Sequence, residues 1–183
     1  VKSPLKDYDP VRMRNAQVGY LLTLAVASAA CAGPRENWRT SPLVGKRVEV
    51  TARDLDGREV RVSDAGARVA VIDFWATWCE PCREQLPFLE RLAEKYRGAG
   101  VQVYGVSFDE DRAAVEEFLA RTPVKFPILW DQGGTALADP LQVTRLPTTI
   151  LVDAAGVVRG VHLGFDRAAG AALEREVRHL LEQ

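Results

Sequence analysis

The segment from Arg68 to Ser107 constrains the fold of this chain more than any other. Arg68 to Trp75 contains Val69-Ala70-Val71-Ile72, a continuous apolar run. Such a run suits a central strand buried on both faces. Cys79 to Tyr96 follows as a helix, with Leu86, Leu89, Leu92, Ala93 and Tyr96 recurring at helical spacing. Pro87 lies inside it and is expected to kink it, and Gly98 and Gly100 end it. Val101 to Ser107 then reads as a second strand. A strand, a helix and a second strand in this order form a βαβ unit, which requires a parallel sheet and a right-handed crossover.

The flanking sequence adds antiparallel structure. Arg47 to Val62 reads as a hairpin, with Val48 and Val50 alternating with charged residues, Asp56-Gly57 as the turn, and Val60 and Val62 alternating again. Asp109 is placed to cap a helix running through Arg121, with Val115, Phe118 and Leu119 inward. Phe126 to Trp130 is a short extended piece, and Gly134 to Ala138 a short helical turn. Thr148 to Val152 and Val157 to Leu163 are strands joined by the turn Asp153-Ala154-Ala155-Gly156. Arg167 to Leu181 is a closing helix, with Leu173, Val177, Leu180 and Leu181 on one face. The fold class expected is α/β, a mixed central sheet flanked by helices with an N-terminal β-hairpin extension.

The N-terminus reads as a targeting segment. Lys2, Lys6, Arg12 and Arg14 precede an apolar run from Val18 to Ala30, and polar Gly33 to Asn37 stops it. The run is short for a bilayer-spanning helix. The only methionine is Met13, so translation is read as starting at Val1 or at Met13. Ser28-Ala29-Ala30-Cys31 resembles a bacterial lipobox, with Ser28 where an aliphatic residue is usual, and Cys31 would carry the lipid anchor; the alternatives are ordinary secretory cleavage near Ala29 or Ala30 and an uncleaved anchor. Residues 1–31 are therefore assigned to the signal segment, 32–42 to a tether and 43–183 to one domain. About 150 residues are enough for one core.

A net charge of −1 with scattered arginines gives no basic stripe for nucleic acid. With Cys31 assigned to the anchor, only Cys79 and Cys82 remain of the three cysteines, and one close pair cannot staple such a domain. Two cysteines separated by two residues at a strand-to-helix junction can bond to each other with little backbone movement. The first lies at the helix N-terminus, where free N–H groups and the dipole favour a thiolate. The second lies one turn inside, shielded. Thiol–disulfide exchange asks for this pairing of an accessible nucleophile with a protected resolver. Pro81 fits the first helical turn. The carboxylate of Glu80 opposes a thiolate at Cys79, which would favour a reducing couple.

Val71-Ile72-Asp73-Phe74-Trp75-Ala76-Thr77-Trp78-Cys79-Glu80-Pro81-Cys82 resembles the active-site block of the thioredoxin superfamily. It is most similar to the TlpA/ResA-like envelope reductases. The hairpin with its Asp-Gly turn and the Leu146-Pro147-Thr148-Thr149 segment match that branch too, and the likeness spans about residues 42–182. The resemblance implies a thioredoxin fold, with Cys79 as nucleophile, Cys82 as resolving cysteine and no cofactor beyond their redox-active disulfide. It implies a cis-proline at Pro147, redox tuning by Glu80, Pro81 and Pro147, and a substrate groove at Trp75, Trp78 and Leu146. Pro87 matches the branch's helix proline. Implied partners are protein substrates with disulfides, such as apocytochrome c, and a membrane electron donor. The implied location is the periplasmic side of the bacterial envelope. Two positions depart from the branch. Asp73 stands where Asn is more frequent, as a candidate proton acceptor for Cys82, and Gln85 stands where Glu is frequent.

The alternative function is a thioredoxin-fold copper-delivery or binding module. Two-residue cysteine spacing and the lack of a suitable histidine argue against it. No metal site is assigned. His162 is read as a surface or sheet-face residue and His179 as exposed, while Trp38 and Trp130 are read as packing residues.

Overall fold

The computed structural model describes residues 41–62 and 66–183. The signal segment, Cys31, Trp38 and nearly all of the tether lie outside the described residues. One seven-stranded sheet organises what is described. Its strands are β1 (Thr51–Asp54), β2 (Glu59–Arg61), β3 (Val69–Trp75), β4 (Val101–Ser107), β5 (Ile128–Trp130), β6 (Thr148–Asp153) and β7 (Val158–Leu163). The spatial order is β2-β1-β5-β4-β3-β6-β7. β3, β4 and β5 run parallel, and every other pairing is antiparallel. Helices α1 (Glu80–Tyr96), α2 (Arg112–Arg121) and α3 (Arg167–Leu181) complete the frame. The expected mixed sheet and N-terminal hairpin are both present.

β3 is central because every one of its seven residues is buried. Alternation then divides the core in two. Val69, Val71 and Trp75 point to a face covered by Leu86 and Leu89 of α1, Val115 and Phe118 of α2, and Leu173 and Val177 of α3. Ala70, Ile72 and Phe74 point to the other face, where Leu43, Val50, Leu137, Ala138 and Leu141 pack. All three helices thus share one face, because β3–α1–β4 and β4–α2–β5 step the same way across the sheet with the same handedness. Among the described residues no helix is long and apolar enough to cross a membrane.

Local structure departs from expectation in three places. The hairpin is shorter than residues 47–62, with strand registers from Thr51 to Arg61 and one more backbone bond from the Val62 N–H to the Val50 carbonyl at 2.9 Å. Val48 instead donates its N–H to the Gly156 carbonyl at 2.8 Å, tying the incoming chain to the β6–β7 turn. The cap of α2 is Asp111, whose carboxylate accepts from the Ala113 N–H at 2.9 Å, and not Asp109. The segment after β5 begins with a 3₁₀ turn at Gln132–Gly134, followed by N–H groups of Ala136, Leu137 and Ala138 that converge on the buried Asp131 carboxylate. α1 continues across Pro87, which lies on its exposed side.

Gly105 on β4 permits the packing of the largest core side chain. A Cβ there would stand 2.8 Å from Ile128 Cδ1, 3.1 Å from Trp75 Nε1 and 3.2 Å from Phe126 Cε2. The indole of Trp75 therefore lies over the backbone of the neighbouring strand. Gly105→Ala is expected to cost about 1–3 kcal/mol through overpacking. Urea denaturation of the variant measures it, and an unchanged midpoint would show that the neighbours give way freely.

Candidate active site

The site forms where the parallel strands end. β3 finishes at Trp75, and the chain crosses Ala76-Thr77-Trp78 before α1 begins. Cys79 is the residue that caps α1, with extended backbone (φ −87°, ψ 106°) and no side-chain capping bond. Its sulfur is bonded to that of Cys82, with Cα atoms 5.3 Å apart. Cys79 retains 6% exposure and Cys82 none, so of the two residues only Cys79 reaches solvent. Trp78 beside it is 68% exposed, one of two large hydrophobic side chains left in solvent among the described residues.

The crossing loop is held from β4. Asp109 follows that strand and is buried, and its carboxylate accepts from the Thr77 N–H at 3.0 Å and from the Thr77 hydroxyl at 2.6 Å. The Ser107 hydroxyl donates to the same carboxylate at 2.9 Å, and the Trp130 indole N–H donates to the Asp109 carbonyl at 2.7 Å. The sequence suggests a helix cap for Asp109. A capping carboxylate and a loop-holding carboxylate look alike until the register of β4 places this one beside Thr77. From the helix side, Arg83 Nε donates to the Thr77 carbonyl at 2.8 Å. The same guanidinium meets Glu80 at 3.3 Å, with Glu80 largely exposed.

The X-Pro bond Leu146–Pro147 is cis. Thr148 pairs with Phe74, which sets Pro147 alongside Trp75 at the end of β3, next to the loop that carries Cys79. Pro147 is buried and Leu146 half-buried. Trp75 is fully buried, its ring centroid 5.5 Å from that of Phe118. It forms the floor beneath the site and not the wall of a groove, which corrects the expectation that groups it with Trp78 and Leu146. Its size and the missing Cβ at Gly105 explain the burial.

Asp73 points to the α1 face between Gly105 on β4 and Thr149 on β6. It is fully buried. Its Oδ1 accepts from Gln85 Nε2 at 2.9 Å and from the Thr149 hydroxyl at 2.7 Å, and Gln85 Nε2 also donates to Thr149 Oγ1 at 2.7 Å. Asp73 Oδ2, Gln85 Oε1 and Trp75 Nε1 are buried with no hydrogen-bond partner among the described residues. Burial raises the Asp73 carboxyl from the usual 3.8 to about 8, against a smaller lowering by the Thr149 hydroxyl. Cys82 and Gln85 lie one turn apart on the buried stripe of α1, so the acid sits under the same stripe as the inner sulfur.

His162 lies on the sheet face, paired with Thr149 and buried beneath α3, where its Nε2 meets Glu176 Oε2 at 2.7 Å. His179 is exposed on α3. Among the described residues no three His, Cys, Asp or Glu side chains gather to hold a metal.

The Redoxin family model matches residues 43–176. A thiol-disulfide oxidoreductase ResA of Bacillus cereus is 34% identical over 105 residues, 57% of this chain and 60% of that protein. The chain therefore spans somewhat under two thirds of that relative. A ResA of Geobacillus kaustophilus is 34% identical over 127 residues, 69% of this chain and 72% of that one. A crystal structure from Chlorobium tepidum, described as a thiol:disulfide interchange protein DsbE, superposes with a TM-score of 0.71 at 32% identity. It covers 75% of this chain and 97% of its own. The structure of MTB dsbF in mixed oxidized and reduced forms gives 0.63 at 30% identity, covering 72% and 94%. The architecture is the thioredoxin-like fold.

Removing the loop's anchor measures its worth. Asp109→Ala takes away the acceptor for Thr77 and Ser107 and should cost about 2–3 kcal/mol in urea denaturation; a loss below experimental error would show that the loop holds itself. The buried acid makes stability depend on pH. A folded pKa above the unfolded one means that the native state binds the extra proton. The stability this contributes is complete below pH 3.8 and is lost as pH rises through about 8. Asp73→Asn should therefore gain on the wild type by several kcal/mol between about pH 4 and about pH 9. Denaturation at both values tests this, and a difference independent of pH would reject a buried neutral acid.

Proposed function

The chain belongs to the Redoxin family, and from that premise we propose that it is a thiol–disulfide oxidoreductase that reduces protein disulfides in the bacterial envelope. One observation carries the reading. Cys79 caps α1 and is bonded to a fully buried Cys82, and of the two residues only Cys79 reaches solvent. The names of the relatives, oxidoreductases and interchange proteins, agree with it.

In the reduced protein the free N–H groups and dipole of α1 favour thiolate at Cys79. That thiolate attacks a substrate disulfide. A bond forms between Cys79 Sγ and one substrate sulfur, and the second substrate sulfur leaves as thiolate. The ionised form of Asp73 then takes the Cys82 proton, and Cys82 attacks Cys79 Sγ. The mixed disulfide breaks, the first substrate sulfur leaves, and the protein is left with the Cys79–Cys82 bond. Two electrons have passed to the substrate, and a dithiol partner returns them. Asp73 suits the proton step, because burial puts its ionisation near neutrality.

Trp78 and Leu146 offer apolar surface for the substrate beside Pro147. Pro81 fixes the first turn of α1, and Glu80 tempers thiolate at Cys79, an effect reduced by its partner Arg83. The envelope assignment rests on the basic and then apolar N-terminus, with Cys31 as the lipid-bearing residue of a chain tethered through residues 32–42. A membrane dithiol would supply electrons, and apocytochrome c is a fitting substrate because it too presents paired cysteines. No observation favours the copper-binding alternative. His162 is engaged with Glu176 and His179 is exposed on α3, so neither joins the cysteines.

Insulin reduction by the reduced protein tests the activity. Cys79→Ser should fall to background, whereas Cys82→Ser should still attack and accumulate mixed disulfides that gel electrophoresis resolves. Full reductase activity in Cys79→Ser would remove the basis of the reading.

A further inference from the structure

Two donors reach one oxygen of Asp73, and among the described residues none reaches the other. Gln85 Nε2 and the Thr149 hydroxyl both donate to Oδ1, and they are joined to each other by a third bond. The triangle is closed and wholly buried. A carboxyl group with two donors on one oxygen keeps that oxygen as the acceptor in both protonation states. The proton then resides on the other oxygen.

We infer that Gln85 is a positioning residue which, with Thr149, locks Asp73 so that Oδ2 alone exchanges a proton with Cys82. The inference rests on the proposed oxidoreductase reading for the identity of the proton donor. Its geometric part stands on the hydrogen bonds.

Residue chemistry at position 85 matters for this role. An amide supplies two N–H groups from one nitrogen, and both are used, one on Asp73 and one on Thr149. A carboxylate at position 85 could donate to neither and would repel the ionised form of Asp73. A hydrocarbon would leave Oδ1 with a single donor. The strand neighbours cannot substitute, since Gly105 faces Asp73 from β4 with no side chain.

The charged and titratable groups around Asp73 are few. β4 contributes none at this register and β6 contributes neutral Thr149. α1 contributes Cys82, one turn before Gln85. One strand further along the same row, His162 of β7 is bonded to Glu176 of α3. Cys82 is thus the titratable group one turn from Gln85 on the buried side of α1, where Tyr96 lies at the far end, and the His162–Glu176 pair is separated from Asp73 by Thr149.

The test follows the ionisation of Asp73 by carboxyl carbon NMR in the full chain, both oxidised and reduced. Gln85→Met keeps the volume and removes both donors. Losing a donor to Oδ1 weakens the carboxylate more than the neutral acid, so the midpoint should rise by roughly one pH unit, a tenfold change in the ionisation constant. In the reduced variant the pH profile of Cys82 alkylation should shift with it. Thr149→Val removes the other donor at constant shape and should shift the midpoint in the same direction. Should either variant not fold, the wild type decides alone. The side-chain amide resonances of Gln85 should then titrate with the Asp73 midpoint. Midpoints unchanged in the folded variants, or Gln85 amide resonances indifferent to that titration, would overturn the proposal. Insulin reduction by the wild type is scored separately. Its failure would reject the activity and leave the midpoint shifts standing, while unchanged midpoints would reject the positioning role and leave the activity standing.

Discussion

A carboxyl group under a helix, with glycine on one neighbouring strand and threonine on the other, has no cation beside it to balance its charge. Among the described residues Asp73 is in that position, its ionisation set by burial and by the Thr149 hydroxyl. Ionising it in a medium of low dielectric is costly, and two hydrogen bonds to one oxygen recover only part of the cost. The protein therefore carries a neutral acid beneath its reactive sulfurs at acid and neutral pH, and a charged one above. The helix that bears Cys82 meets this group through Gln85. Evolution toward stability alone would place a hydrocarbon there, and the proton step proposed above is a reason for the carboxyl to be kept.

The surroundings are built to hold geometry at that end of the sheet. Asp109 fixes Thr77 from the β4 side, and Arg83 fixes the same residue from α1. Trp75 fills the space below, and only the missing Cβ of Gly105 makes room for it. These contacts leave Cys79 at the N-terminus of α1 with its backbone set by neighbours on both sides. The three helices crowd one face of the sheet, and the chain segments around Leu43 and Leu137 close the other. The side with the helices supplies the acid, the sulfurs and the amide that orients the acid.

Much of this is legible from periodicity and punctuation. The apolar run at Val69 announces β3, and the Leu86, Leu89 and Leu92 spacing announces α1. Glycines after Tyr96 mark the stop, and Cys79 and Cys82 fall at a strand-to-helix junction because those two patterns meet there. Asp73 stands out as a lone charge in a buried strand. What escapes depends on contacts remote in sequence. Asp109 and Thr77 are 32 residues apart, and Gln85 and Thr149 are 64 apart, so only the strand register brings each pair together. Trp75 groups with the exposed Trp78 in sequence because both flank the cysteines. Strand alternation, with Gly105 opposite, separates them in space. Val48 reads as part of the hairpin because alternation cannot tell a ladder partner from a bridge to the β6–β7 turn.

Where the tuning of such a dithiol resides can be decided by magnitude. Glu80 and Pro81 sit between the cysteines and invite the assignment. Glu80, however, is turned to solvent and to Arg83, and an exposed pair of this kind is worth about 0–1 kcal/mol. Its field at Cys79 is further weakened by water and salt. A buried carboxyl changes its charge in surroundings where the same Coulomb interaction is several times stronger. In the proposed mechanism it acts on Cys82, the cysteine with no exposure at all. On the proposed mechanism, surface charge at Glu80 therefore has little leverage on the pair, and the ionisation of Asp73, held by Gln85 and Thr149, is the stronger control on the inner sulfur.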